Sequence, residues 1–157
     1  VLLFVRAKSH GKQLKQPSKN LLMLIVGSFV LTLIQFGLGV DVRQFIDYQI
    51  KQAGSNAPQL WLDRPEISFY VHRSLSLAVV VLSVWIYKLV VKESLTQKYI
   101  QFIIGCILVE IILGILMYYV DFPWGTQPLH LLIAALLFSA QLYWLLRIKL
   151  KSYDLSI

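Results

Sequence analysis

Cysteine is almost absent from this sequence. Cys106 stands alone inside an apolar run, so no disulfide framework is available and cysteine usage says nothing of the redox compartment. Charge is scarce too, at 15% of 157 residues against 57% apolar, and the mean hydropathy is +0.67. A soluble chain of this size has no interior large enough for that much apolar surface, so lipid must cover part of it. Acidic residues number only 8 against 15 lysines and arginines, a net charge of +7. Such an excess would ordinarily raise nucleic acid as a partner. Here the basic residues sit in short segments between long apolar runs, where they act as topology determinants, and no nucleic acid is expected. The apolar stub Val1–Val5 precedes Arg6 and Lys8, the reverse of signal-peptide order, so the stub is not expected to be a secretory leader. The stub reads as the end of an earlier membrane helix, and the chain as the later part of something longer.

What is present is four apolar stretches of the roughly 20 residues a bilayer core requires: about Leu21–Val40, Ile67–Val91, Tyr99–Val120 and Pro128–Ile148. Asn20 and Thr126 are suitable N-caps, and Pro128 is tolerated in a first turn. All lysines and arginines except Arg43, Lys51, Arg64 and Arg73 fall on one side of these spans. The positive-inside rule places that side, with both termini, in the cytoplasm. Aromatic belts agree, with Trp61, Tyr70, Tyr118, Tyr119 and Trp124 at the outer boundary and Trp85, Tyr87, Tyr143 and Trp144 at the inner one. The fold expected is an all-α integral membrane four-helix bundle. Residues 1–20 form the preceding helix end and a cytoplasmic loop, 21–148 the transmembrane domain, and 149–157 a cytoplasmic tail. The outer stretch from Asp41 to Glu66 is long enough to cap a site, with Val42–Gln52 expected as a short amphipathic helix on the membrane surface. Asp121–Gly125 makes a short, stiff outer turn.

A weak internal repeat runs through the spans. Gln35 and Gly39 on the first match Glu110 and Gly114 on the third, while His72 near the start of the second matches His130 near the start of the fourth. The repeating unit is a helix pair, with a polar residue and a glycine on one helix and a histidine on the next. Duplication explains both matches in order.

Ionisable groups within a span are costly and usually face the bundle interior. His72 and His130 lie at similar depth in the outer third of spans that run in the same direction. Two neutral imidazoles from different helices at one level suit the opposite axial positions of a haem iron. The alternative is that each hydrogen-bonds a neighbouring helix or sits at the interface. A bare zinc or copper site would want three or four ligands, yet His10 is on the wrong side and Cys106 near mid-membrane. Gln35, Gly39 and Arg43 recur every four residues and share one helix face; the glycine would admit a flat macrocycle. Arg43 and Arg73 either pair with haem propionates or, respectively, end a helix and snorkel to head groups. Glu110 lacks an evident cationic partner, which suggests a neutral interhelical hydrogen bond over proton handling. Gly37, Gly105 and Gly114 suit helix–helix contact, and Ser74, Ser76 and Ser83 suit bonds back to their own helix.

The run Ile34-Gln35-Phe36-Gly37-Leu38-Gly39-Val40-Asp41-Val42-Arg43, followed by Tyr70-Val71-His72-Arg73-Ser74 and by Gln127-Pro128-Leu129-His130-Leu131-Leu132-Ile133-Ala134, resembles the haem A synthase family of cytochrome oxidase assembly proteins. The resemblance extends from about Leu22 to Leu146. It implies one half of a duplicated eight-helix protein, here the C-terminal half, whose second and fourth helices each carry a haem-ligating histidine. His72 and His130 would then be axial ligands of a haem b, with Gln35, Gly39, Arg43, Arg73 and Gln127 around it. The whole protein would be an oxidoreductase converting haem O to haem A by oxidising a ring methyl to a formyl group. In the catalytic half of that family a glutamate lies three residues before the first histidine. Here that position is Phe69, and the nearest acid, Glu66, is only a weak catalytic candidate. The outer cysteine pair of some members has no counterpart.

The function expected from these residues is therefore haem b binding, with an electron-relay or structural role. Expected partners are the N-terminal four-helix half, haem O as substrate, haem O synthase, cytochrome oxidase subunits and the lipid bilayer. The expected location is a bacterial inner or plasma membrane, with the haem near the outer face. Competing expectations are a complete oligomeric enzyme with haem O or haem A in this site, a stand-alone membrane b-type cytochrome, and a haem-free scaffold.

Overall fold

The structure is a computed structural model that describes residues 16–154, with side chains described to residue 149. The stub Val1–Val5, the cations Arg6, Lys8, Lys12 and Lys15, and His10 lie outside the described residues, as does the side chain of Lys151. Four helices follow one another: α1 (Lys19–Ala53), α2 (Ile67–Lys92), α3 (Lys98–Tyr119) and α4 (Thr126–Asp154), with a short 3₁₀ turn at Pro58–Leu60 between α1 and α2. All four are long and apolar enough to cross a membrane. Met23, Leu77, Val81 and Ile112 lie exposed on the bundle surface, an arrangement that only lipid accommodates. The chain is an integral membrane protein.

Antiparallel neighbours pack into hairpins α1–α2 and α3–α4, and contacts of α2 with α3 and of α1 with α4 close the bundle. Its buried apolar cluster is drawn from Leu21 and Ile25, Val79, Ile86 and Val90, Ile100, Ile103, Cys106 and Ile107, and Leu137 and Trp144. In each helix these residues lie toward the lysine-rich end, so the apolar core fills one half of the bundle. Next to it Ser28, Thr32, Ser83 and Gln141 are buried, with Gln141 Nε2 donating to Ser28 Oγ at 3.3 Å and Thr32 Oγ1 donating to the Ser28 carbonyl at 3.0 Å. Trp144 belongs to this core, against Tyr99, and not to a lipid-facing belt.

The first helix differs most from expectation. Val42–Gln52 is no separate surface helix; α1 runs unbroken for 35 residues, about 50 Å at 1.5 Å per residue. Neither glycine nor proline interrupts Asp41–Ala53, and the Arg43–Asp47 pair, one turn apart at 2.8 Å, supports the extension. Gly54 ends it at φ +90°, a conformation that glycine reaches without strain, its N–H donating to the Ile50 carbonyl at 2.9 Å. Beyond, Trp61 packs on Phe122 with ring centres 5.2 Å apart, tying the long α1–α2 connection to the α3–α4 turn.

The helix starts where a better cap precedes Asn20. Ser18 Oγ accepts from the Leu21 N–H at 3.2 Å, while Ser18 N and Oγ donate to the Glu93 carboxylate at 2.9 and 2.6 Å. This ties the start of α1 to the α2–α3 turn. Ser18→Ala should cost roughly 1 kcal/mol, seen as a lower thermal midpoint of the detergent-solubilised chain; an unchanged midpoint would show that the cap is dispensable.

Candidate functional site

Toward the opposite end of the bundle the apolar core gives way to polar side chains. On α1, Gln35, Gly39 and Arg43 follow one another up a single face. Gln35 Nε2 donates to the main-chain carbonyl of His72 on α2 at 3.0 Å. A Cβ on Gly39 would stand 3.5 Å from His72 Cε1, so the glycine keeps the α1 backbone close to the imidazole. Gly37, Gly105 and Gly114 differ: among the described residues nothing lies within 4 Å of a Cβ built on them, so they are not the helix–helix contacts expected. His72 Nδ1 and Gln35 Oε1 are buried, and among the described residues neither has a hydrogen-bond partner.

The second hairpin repeats the pairing with different chemistry. Glu110 on α3 meets His130 on α4, Oε2 to Nδ1 at 3.0 Å, with the two side chains 15% and 27% exposed. The distance is that of an ion pair, but the ring N–H is not aligned for a hydrogen bond, and Glu110 Oε1 has no partner among the described residues. In both hairpins, then, the polar residue of the first helix reaches the histidine of the second. Glu110 is thus not the partnerless acid that the sequence suggests. Its matching repeat position to Gln35 was the signal available.

At the rim of this end Arg43 donates to Gln127 Oε1, joining α1 to the first turn of α4 just before His130. Gln127 Nε2 is buried and has no partner among the described residues. Arg73 stands apart from this group. Its guanidinium lies 5.3 Å over the Tyr118 ring and donates to Tyr119 Oη at 3.3 Å, both on α3. Phe69 stacks on Tyr118 at 5.4 Å and so joins the same aromatic group. Glu66 precedes α2 as its N-cap residue, exposed and with no side-chain capping bond. Ser76 bonds back to the Arg73 carbonyl at 2.6 Å as expected, whereas buried Ser83 finds no partner among the described residues.

The family model of cytochrome oxidase assembly proteins (COX15-CtaA) matches residues 1–142, which takes in α1, α2, α3 and the outer two-thirds of the fourth span. The chain belongs to this family. No curated protein and no solved structure matches it. Membership implies a role in cytochrome oxidase assembly, and the family is associated with haem A synthesis. In this COX15-CtaA chain, Gln35, Gly39, His72, Glu110, Gln127 and His130 all fall within the matched residues.

Among the described residues no group of three or more histidines, cysteines or carboxylates is gathered as a bare metal ion would need. The donor set is two imidazoles and their polar neighbours. It fits a haem: His72 Nδ1 is a buried nitrogen without a partner among the described residues, and Gly39 opens the α1 face beside that ring.

Proposed function

We propose that this chain is a haem-binding four-helix unit of a haem A synthase, with His72 and His130 as the axial ligands of a haem b. The observation that carries this reading is that, beyond the apolar core, each hairpin brings a polar residue of its first helix to the histidine of its second, Gln35 to the His72 carbonyl and Glu110 to the His130 ring. A bis-histidine haem supplies a reversible one-electron couple when bound. The chain's own residues do the rest. His72 and His130 offer nitrogen donors, Gly39 leaves room beside one ring, and the inner apolar cluster keeps water from reaching the site from below. Arg43 at the rim, shared with Asp47 and Gln127, is the cation that would meet a propionate. Arg73 serves the tyrosines of α3 first.

The oxidation of a haem O methyl is assigned to the N-terminal four-helix half, because Phe69, stacked on Tyr118, offers no carboxylate near His72. This unit would relay electrons or stabilise the whole. The lysine-rich end, where Lys88, Lys92, Lys98 and Lys149 cluster, supports a cytoplasmic placement of both termini and a site near the outer face of a bacterial inner or plasma membrane.

Pyridine haemochrome analysis of the chain purified from haem-replete cells tests the reading. A b-type haem near one per chain is expected. Haem O or haem A would transfer the catalytic role to this half, and no pigment on a folded chain would leave the family assignment without a haem here.

A further inference from the structure

We propose that Glu110 is the positioning residue for His130, making it the stronger electron donor of two unequal axial ligands; the inference rests on the haem reading above. Histidines that bind metals commonly engage their second ring nitrogen with a carboxylate or carbonyl, which fixes the tautomer, orients the ring and raises its basicity. Glu110 Oε2 stands 3.0 Å from His130 Nδ1. That N–H makes no hydrogen bond in this structure; aligned on the carboxyl oxygen, it would leave Nε2 as the donor to iron. A carboxyl group held within an apolar helix is expensive, and this pairing gives the expense a use.

The other histidine is held differently. Gln35 is neutral and donates to the His72 backbone, not to its ring, and His72 Nδ1 has no partner among the described residues. Residues at matched positions of the two hairpins therefore do unlike work. Gln35 fixes where α2 sits relative to α1, and Glu110 acts on the ligand itself. The acid faces His130 from α3, with Cys106 one turn below it on the same helix. Among the described residues no lysine or arginine is ion-paired to it, and its neighbour at ion-pair distance is the His130 ring.

Two variants separate orientation from charge in the full chain loaded with haem b. Glu110→Gln keeps an acceptor oxygen and removes the charge, so the midpoint potential should rise while the low-spin spectrum persists. Glu110→Leu also removes the acceptor, and haem affinity should fall about 10- to 100-fold. Glu110→Asp should bring the potential back toward the parent value. A purely structural role predicts no change of potential in Glu110→Gln. A parent-like potential in Glu110→Gln together with parent-like haem affinity in Glu110→Leu would overturn the proposal while leaving a bis-histidine haem standing. A parent chain that takes up no haem would overturn the haem reading itself and this inference with it.

Discussion

Replacing His130 with alanine should leave the purified chain almost without pigment, whereas His72→Ala should retain a fraction of its haem in a high-spin form. The difference follows from the partners of the two rings. His130 Nδ1 has the Glu110 carboxyl group 3.0 Å away to orient it, while among the described residues no carboxyl group stands at ion-pair distance from His72. If both histidines hold a haem, losing the better donor would remove most of the haem affinity, while losing the weaker one would leave the haem held by His130 alone. Outer-shell partners of metal ligands are worth about 10- to 100-fold in affinity, which sets the expected gap in haem content between the variants. Both side chains are only partly buried, so their truncation should spare the bundle, as far-ultraviolet circular dichroism would show. Full low-spin haem in either variant would remove that histidine from the ligand set.

The second large effect is expected at Gly39. A Cβ there lies 3.5 Å from His72 Cε1, an ordinary contact, but the remaining atoms of a leucine would extend into the space beside the imidazole. Overpacking of this kind costs about 1–3 kcal/mol, which corresponds to roughly ten- to a hundredfold weaker haem retention. The helix itself should gain, because glycine is about 0.8–1 kcal/mol poorer than alanine within a helix. Gly39→Leu is thus expected to yield a chain at least as stable as the parent and poor in haem. Gly37→Leu is the control, since two residues earlier on α1 nothing described lies within 4 Å of a new Cβ. Equal haem content in the two variants would mean that the Gly39 face does not border the cofactor.

The spans were plain in the sequence because apolar runs bounded by lysines, prolines and glycines leave few other solutions in lipid. The length of α1 was not. Asp41, Arg43 and Asp47 look like loop residues when judged by polarity, yet helix continuity depends on breakers, and none occurs from Asp41 to Ala53. The same reasoning explains the cap: Ser18 wins over Asn20 because its hydroxyl meets the Leu21 N–H and its own N–H and O–H meet Glu93, a residue 75 positions away.

At the site, the repeat in the sequence sets Gln35 against Glu110 and His72 against His130 by position. It could not show that each polar residue meets the histidine of its own hairpin, since that depends on the rotation of α3 against α4. Glu110 was for the same reason left without a partner, and Arg73 was grouped with His72 although its side chain lies over Tyr118. Adjacent residues on a helix diverge by about 100°, so sharing a motif with His72 did not place Arg73 on the same face.

The most direct test of the central claim is low-temperature electron paramagnetic resonance of the ferric, haem-loaded chain. Two imidazoles on one iron predict a low-spin bis-histidine signal that disappears in both His72→Ala and His130→Ala. A high-spin signal in the parent chain, or a low-spin signal that survives both substitutions, would contradict it.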